Sequence, residues 1–320
     1  MKFTVDPWDP TYGSAVDSDL EPAAAVVSVD VEMAADEWRP IEVPIARPNP
    51  SIVLFVDGVR RVEARVWIDQ SDGEAWPGIC ASYAAGVVAC DGAARVADVE
   101  MQRGLFTAAP AATAIESRHG CFAVKMTASG NPDVLSLALQ ERMTAAEVAV
   151  AQRVRAASAI DDDLLVIDGP LRGRQHLVRT VGMIKTHHVA YLPPEQHRVV
   201  RALRPGERTP VFTIGTSWSR HSWYLRLPRG EDSPWAGVVR CEAAADLSAS
   251  DVTDLAQVTA AVLPVFASER HKEPRAPQNL YPIGGLEREL RRRLGDAELL
   301  YRALRTAARR SPSRSAPRDE

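Results

Sequence analysis

Hydrophobic and polar positions along the chain change their spacing from one segment to the next, and each spacing predicts an element. Ser51-Ile-Val-Leu-Phe-Val-Asp57 is an unbroken β-branched and aromatic run. It predicts a strand buried on both faces that ends in a turn at Asp57-Gly58. In Val62–Ile68 the apolar Val62, Ala64, Val66 and Ile68 alternate with Glu63, Arg65 and Trp67. That alternation predicts a partner strand, and the two runs together predict a hairpin. Ala75–Ala89 and Ala94–Phe106 predict further strands. The period then lengthens. Leu135, Leu139, Met143, Ala146, Val150 and Val154 recur at spacings of three and four, as on one face of a helix over Leu135–Ala159. Asp161-Asp-Asp163 stops it. Leu164-Leu-Val-Ile-Asp168 is a second wholly apolar strand, again closed by Asp-Gly and followed by Pro170. A helix leading into such a strand places it inside the sheet, parallel to the first.

Further on, Pro194–Leu203 reads as a short helix, and Val211–Gly215, Ser222–Leu227 and Ala236–Ala243 as strands. Asp251–Ser268 reads as a helix capped by Ser250 or Asp251. After a turn rich in proline (Pro274, Pro277, Pro282), Leu286–Ala308 is a basic amphipathic helix interrupted at Gly295. Residues 1–45 hold many prolines and acids and read as an extended acidic arm with one strand near Ala23–Met33. Residues 46–308 then form one mixed α/β domain with a central sheet. Residues 309–320, rich in Ser, Pro and Arg, form a disordered tail.

Composition narrows the class without naming a function. The apolar share is 46% and the charged share 25% of 320 residues. Those values exclude a mainly disordered, collagen-like or coiled-coil chain. The longest apolar runs, such as Ala84–Cys90, are far too short to span a bilayer, and the N-terminus lacks the apolar core of a secretory signal. Cys80, Cys90, Cys121 and Cys241 form no CxxC pair. Free thiols and a cytoplasmic location are therefore expected. The net charge is −4, but it is unevenly spread. Residues 1–50 carry three basic and ten acidic residues, a balance of −7. Residues 169–208 carry eight against two, a balance of +6, and residues 284–320 ten against six, a balance of +4. Local clusters, not totals, attract phosphate.

The candidate chemistry sits at the two Asp-Gly steps. If their strands are neighbours, Asp57 and Asp168 stand side by side and need a counter-charge. A divalent metal supplies it, and hard oxygen donors suit Mg²⁺ or Mn²⁺ and the hydrolysis of phosphodiesters. A third acid is expected from the intervening helix, where Glu141 and Glu147 are the candidates and Glu147 is better placed. The bland alternative is that Asp-Gly is a common turn dipeptide.

These residues resemble the NurA nuclease family. The matching stretches are Phe55-Val-Asp-Gly58 with Arg60 and Arg61, Leu165-Val-Ile-Asp-Gly-Pro-Leu171, Val181-Gly-Met-Ile-Lys185 with Tyr191-Leu192, Ser222-Trp-Tyr-Leu-Arg-Leu227, and Pro277-Gln-Asn-Leu-Tyr-Pro282 with Leu286-Glu287 and Leu294-Gly-Asp296. In order, they cover residues 50–305. The resemblance implies a ribonuclease H-like fold with a central mixed sheet flanked by helices. It implies a Mn²⁺-dependent deoxyribonuclease, Mg²⁺ being an alternative, that acts on DNA ends as a homodimer docked on a HerA-type hexameric ATPase. Carried over by position, Asp57 and Asp168 are its metal-binding aspartates, Glu147 its helical glutamate and Tyr281 its C-terminal site tyrosine. Lys185, Arg172, Arg174 and Arg60 would contact DNA phosphates. Where archaeal members have a histidine eight residues beyond that tyrosine, this chain has Glu289.

Other residues are expected to be ordinary. His176, His187 and His188 read as surface or DNA-facing groups. Trp218, Trp223 and Tyr224 could stack bases, but strand alternation packs at least one of Trp223 and Tyr224 into the sheet. Pro282-Ile-Gly-Gly285 lacks the lysine of a phosphate loop and reads as a turn. The rival function is a catalytically weak DNA-binding subunit of the same ATPase assembly.

Overall fold

The computed structural model describes residues 8, 11, 14–22, 24–43, 50–70, 73–158, 161–228 and 235–310. The chain-terminal tail from residue 311 and most of the first thirteen residues lie outside them. The strands are β1 (Val16–Pro22), β2 (Val26–Ser28), β3 (Val53–Asp69), β4 (Ala75–Cys90), β5 (Ala94–Thr107), β6 (Ile115–Ser117) and β7 (Gly120–Met126), followed by β8 (Leu164–Asp168), β9 (Thr180–Ile184), β10 (His187–Ala190), β11 (Phe212–Gly215), β12 (Ser219–Arg226) and β13 (Val238–Ala244). The helices are α1 (Pro132–Ala156), α2 (Pro194–Ala202), α3 (Ala249–Val262), α4 (Tyr281–Leu294) and α5 (Ala297–Arg310). The protein is therefore mixed α/β, with a large mixed sheet. No described helix is long and apolar enough to cross a membrane.

The chain divides into two units. The first comprises residues 1–57, 87–97 and 155–286, and the second residues 58–86, 98–154 and 287–320. Strands β3, β4 and β5 contribute to both. In the first unit the strand order is β2-β11-β12-β13-β9-β8-β3. The β2 to β9 neighbours pair antiparallel, whereas β9, β8 and β3 pair parallel. Val53–Val56 and Leu164–Ile167 are buried throughout, as the unbroken apolar runs required. A core of Leu192, Val200, Leu203, Phe212, Ile214, Tyr224 and Val238 closes over one part of this sheet. In the second unit the order continues β3-β4-β5-β7-β6. There α1 lays Leu135, Leu139 and Met143 on Ile79, Ala81, Tyr83 and Phe106. Helix α5 lays Leu300 and Leu304 on Cys80, Leu105 and Phe122.

Several local readings change. Asp57-Gly58 makes no turn: β3 runs 17 residues straight through it, so the expected hairpin is one long strand and the reversal comes at Gly73 (φ +88°). Gly58 serves space instead. A Cβ there would meet the Glu147 carboxylate and come within 2.8 Å of Met143 Cγ. The acidic arm holds two short strands, β1 paired with β10 and β2 with β11. The cap of α3 is Ser248, whose hydroxyl accepts from Asp251 N at 3.1 Å. Pro282–Gly285 is the first turn of α4, not a loop. Glycine at 284 admits Glu273, whose Oε2 would be 2.6 Å from a Cβ. Gly295 breaks the basic helix as expected, with φ +81°. Strands β6, β7, β9 and β10 were not among those predicted from the sequence pattern.

Candidate active site

In the first unit, β3 and β8 run parallel with Val53 level with Leu164 and Val56 level with Ile167. One residue further, this register sets Asp57 level with Asp168 on adjacent strands. Side chains at matched parallel positions point to the same face. Both therefore lie on the face of Phe55, which packs edge-on against Phe266 at 4.8 Å. Asp57 is 8% exposed.

Asp168 ends its strand because Gly169 turns the chain at φ +115°, a conformation open to glycine. The loop then folds back over β9, where Gly182 makes room: a Cβ there would lie 2.7 Å from Gly169 O and 2.8 Å from Leu171 N. This close approach accounts for glycine in Val181-Gly-Met-Ile-Lys185. Just past β9, Lys185 donates to Asp168 Oδ2 at 2.5 Å and to Asn279 Oδ1 at 2.8 Å. The Lys185 and Asp168 side chains are 10% and 14% exposed. Asp168 Oδ1 is buried and has no hydrogen-bond partner among the described residues.

The second cation is Arg174. It is 4% exposed and donates to Pro170 O at 2.9 Å. Burial pulls its pKa down to about 10, and the nearby charge of Asp57 acts the other way. Two carboxylates thus share the face with two cations, which meets the requirement that neighbouring carboxylates be compensated. A buried network steadies the loop: Glu242 accepts from Leu171 N (3.1 Å), Arg220 Nε (2.7 Å) and Arg240 Nη2 (2.9 Å). The guanidinium of Arg240 lies over the Tyr191 ring at 4.7 Å, and that of Arg220 over the Trp218 ring at 4.6 Å.

The remaining sequence candidates have their own surroundings. Glu147 belongs to the second unit and is buried on α1 against Gly58, whereas Glu141 is exposed. Tyr281 opens α4, and its hydroxyl donates to Glu269 Oε2 at 3.1 Å. Its ring lines an apolar cavity of about 580 Å³ with Val88, Cys90, Phe266 and Leu286. Arg172 and Arg60 are exposed, Arg60 donating to Ser136 Oγ at 3.2 Å. Glu289 is engaged on its own helix by Arg292 and Arg293, whose hydrogen bonds hold its carboxyl down to about 2. His187 is a correction. It is a core residue, 1% exposed, with its ring nitrogen Nε2 3.1 Å from Val238 O. His176 and His188 are on the surface. Trp223 and Tyr224 are both buried, Trp223 donating to Thr259 Oγ1 at 3.2 Å.

Sequence reasoning gave no role to Asn279, Glu242, Arg220 or Arg240. Charged residues inside otherwise apolar strands were the available signal, since an ion is buried there only when partnered. Asn279 carried none.

Among the described residues, no three His, Cys, Asp or Glu side chains converge on a ready metal position. The donors present fit a different kind of site. Mg²⁺ and similar hard cations are commonly held by one or two carboxylates together with substrate phosphates and water. Asp57 with the unpartnered Oδ1 of Asp168 offers that pair. Comparison with protein-family models gives no match, and none is found among curated proteins.

Proposed function

We propose that the protein is a metal-dependent deoxyribonuclease that hydrolyses phosphodiester bonds at the Asp57–Asp168 pair. The observation that carries this reading is the level placement of the buried Asp57 and the half-buried Asp168 on adjacent parallel strands, with Lys185 and Arg174 beside them. In this reading Asp57 and Asp168 hold Mn²⁺, or Mg²⁺, and the resemblance assigns the third carboxylate to Glu147. A bound metal would lower the pKa of water and neutralise charge on the attacked phosphate. Lys185 holds Asp168 in place through Oδ2 alone, so Oδ1 stays available. Arg174 balances Asp57 from inside the protein. The Glu242 network fixes Leu171 and with it the turn after Asp168. Exposed Arg172 and Arg60 meet backbone phosphates, which favours binding with little sequence preference and strong salt dependence. The finer parts of the reading rest on the resemblance: a ribonuclease H-like fold, a homodimer, and work on DNA ends beside a HerA-type ATPase.

The test is degradation of linear DNA with Mn²⁺, Mg²⁺ or EDTA, with and without such an ATPase. Wild-type protein should cut only with metal, and Asp57→Ala and Asp168→Ala should each abolish cutting while the circular dichroism spectrum stays native. Undiminished cutting by the double variant would remove the assignment. One observation favours the second reading, a catalytically weak DNA-binding subunit. Glu289, at the position of the family's histidine, is already consumed by Arg292 and Arg293. DNA binding without product under every metal condition would select that reading.

A further inference from the structure

Helices α4 and α5 are both rich in arginine, yet they use it differently. On α4, Glu287 pairs with Arg291 at 2.7 Å, and Glu289 with Arg292 at 2.9 Å and Arg293 at 2.7 Å. Three of that helix's arginines are thus paired with its own glutamates. On α5 the count is four arginines (302, 305, 309, 310) against Glu298, a balance of 4 − 1 = +3. Among the described residues no carboxylate pairs with Arg305, Arg309 or Arg310, and Glu298 reaches Arg302 only at 4.0 Å. All four arginines are exposed. Tyr301 is 48% exposed on the same helix, with the Arg305 guanidinium 5.9 Å from its ring centre. Beside this face, between α5 and the β6–β7 turn, lies a groove of about 780 Å³ lined by Arg118, Arg302, Thr306 and Arg310. Its one carboxylate, Glu116, stands opposite Cys121 across the β6–β7 pair.

We infer that the exposed face of α5 and this groove form a nucleic-acid-binding surface, distinct in its residues from the Asp57–Asp168 pair, that tracks a single strand by its phosphates and stacks a base on Tyr301. Unpaired guanidinium groups beside an exposed aromatic ring are the combination that holds single strands without reading sequence. A basic amphipathic helix can also lie on an anionic membrane, but it does so by inserting its apolar face. Here that face is spent: Leu300 and Leu304 are buried against β4, β5 and β7. The identity of the strand as DNA rests on the proposed nuclease reading, while binding itself is measured without cutting.

The experiment uses the full chain in EDTA and follows the fluorescence anisotropy of a labelled 30-nucleotide single strand across a salt series. Arg305→Ala/Arg309→Ala/Arg310→Ala should weaken binding by about tenfold or more and lower the slope of log affinity against log salt by about two to three. Tyr301→Ala should weaken binding by about tenfold with the slope unchanged. Arg291→Ala/Arg292→Ala, on the self-paired helix, should change neither. The replaced groups are exposed, so native circular dichroism is expected and confirms folding. An RNA strand that depends on the same arginines supports the surface and identifies its ligand as phosphate-general. Unchanged affinity and slope in the triple variant overturn the inference, even if metal-dependent cutting persists. Arginine-dependent binding to phosphatidylserine vesicles in place of nucleic acid overturns it in favour of a membrane. Binding that depends on α5 in a protein that never cuts leaves this surface standing and removes only the nuclease reading.

Discussion

Replacing Lys185 by methionine tests whether the site is held together as described. The ammonium sits 2.5 Å from Asp168 Oδ2 and 2.8 Å from Asn279 Oδ1, at side-chain exposures of 10% and 14% for the ion pair. Removing one partner of a pair buried to that degree leaves the other charged and desolvated, at a cost of about 3 kcal/mol. Lys185→Met should therefore lose about that much stability. Asp168→Asn alone should lose a comparable amount, since it leaves the lysine unpaired. The double variant should lose much less than the sum, because neither charge remains, so a double-mutant cycle should return a coupling of about 2 kcal/mol or more. The assay is urea unfolding at pH 7 followed by circular dichroism, with wild type, both single variants and the double variant compared at equal m-value. A metal titration sharpens it. Mn²⁺ can take over the lost counter-charge, so it should raise the unfolding midpoint of Lys185→Met more than that of wild type. Additive losses, or a midpoint in Lys185→Met that ignores Mn²⁺, would refute the reasoning.

Three further outcomes follow from named contacts. Gly58→Ala should destabilise by about 2 kcal/mol, because its Cβ overlaps Glu147 and lies 2.8 Å from Met143 Cγ, and Met143→Ala should recover part of that loss in chemical denaturation. Gly182→Ala places a Cβ 2.7 Å from the carbonyl oxygen of Gly169 and 2.8 Å from Leu171 N; backbone cannot swing aside, so DNA cutting should fall at least tenfold, and undiminished cutting would show that the Asp168 turn needs no such support. His187 should give a pH signature. Burial holds its pKa down to about 4 from an ordinary 6.5, with Arg240, His188 and His197 adding to the effect and Val238 O opposing it. The unfolded chain therefore binds the extra proton first. The contribution is intact above pH 6.5 and is lost as pH falls towards 4, by about 3 kcal/mol in total. His187→Gln should lose that much less stability than wild type between pH 7 and pH 4 in urea titrations.

The frame of the fold was legible wherever a long run carried a single message. Val53–Val56 and Leu164–Ile167 read as buried neighbours because nothing polar interrupts them, and they pair in parallel. The helix over 132–156 and the break at Gly295 followed equally from spacing and from glycine. The meaning of Asp57-Gly58 did not, because the dipeptide is the same whether it bends a strand or lets a helix approach one. Only the position of Met143 and Glu147 against Gly58 separates the two. His187 was misplaced for a similar reason: flanking Lys185 and His188 look solvent-facing, yet the ring enters a pocket of Tyr224 and Trp235 at centroid distances of 5.7 and 5.1 Å. Of the candidate site, Asp57 and Asp168 stood out in the sequence, whereas Lys185 was read as a phosphate contact and instead pairs with Asp168 and Asn279. The partners that fix them did not stand out, since Asn279 and Glu242 lie 94 and 71 residues from the groups they bind, Lys185 and Leu171. Arg174 was read as a phosphate contact, but its side chain is buried at 4% exposure and its charge acts on Asp57.

The central claim is that Asp57 and Asp168 together hold a divalent cation when a phosphate is present. The most direct measurement is the free-ion Mn²⁺ signal in electron paramagnetic resonance, titrated against protein with a cleavage-resistant phosphorothioate oligonucleotide. Wild-type protein should deplete that signal, and more strongly with the oligonucleotide than without it. Asp57→Asn/Asp168→Asn should leave it undiminished. Equal depletion by wild type and the double variant would contradict the account.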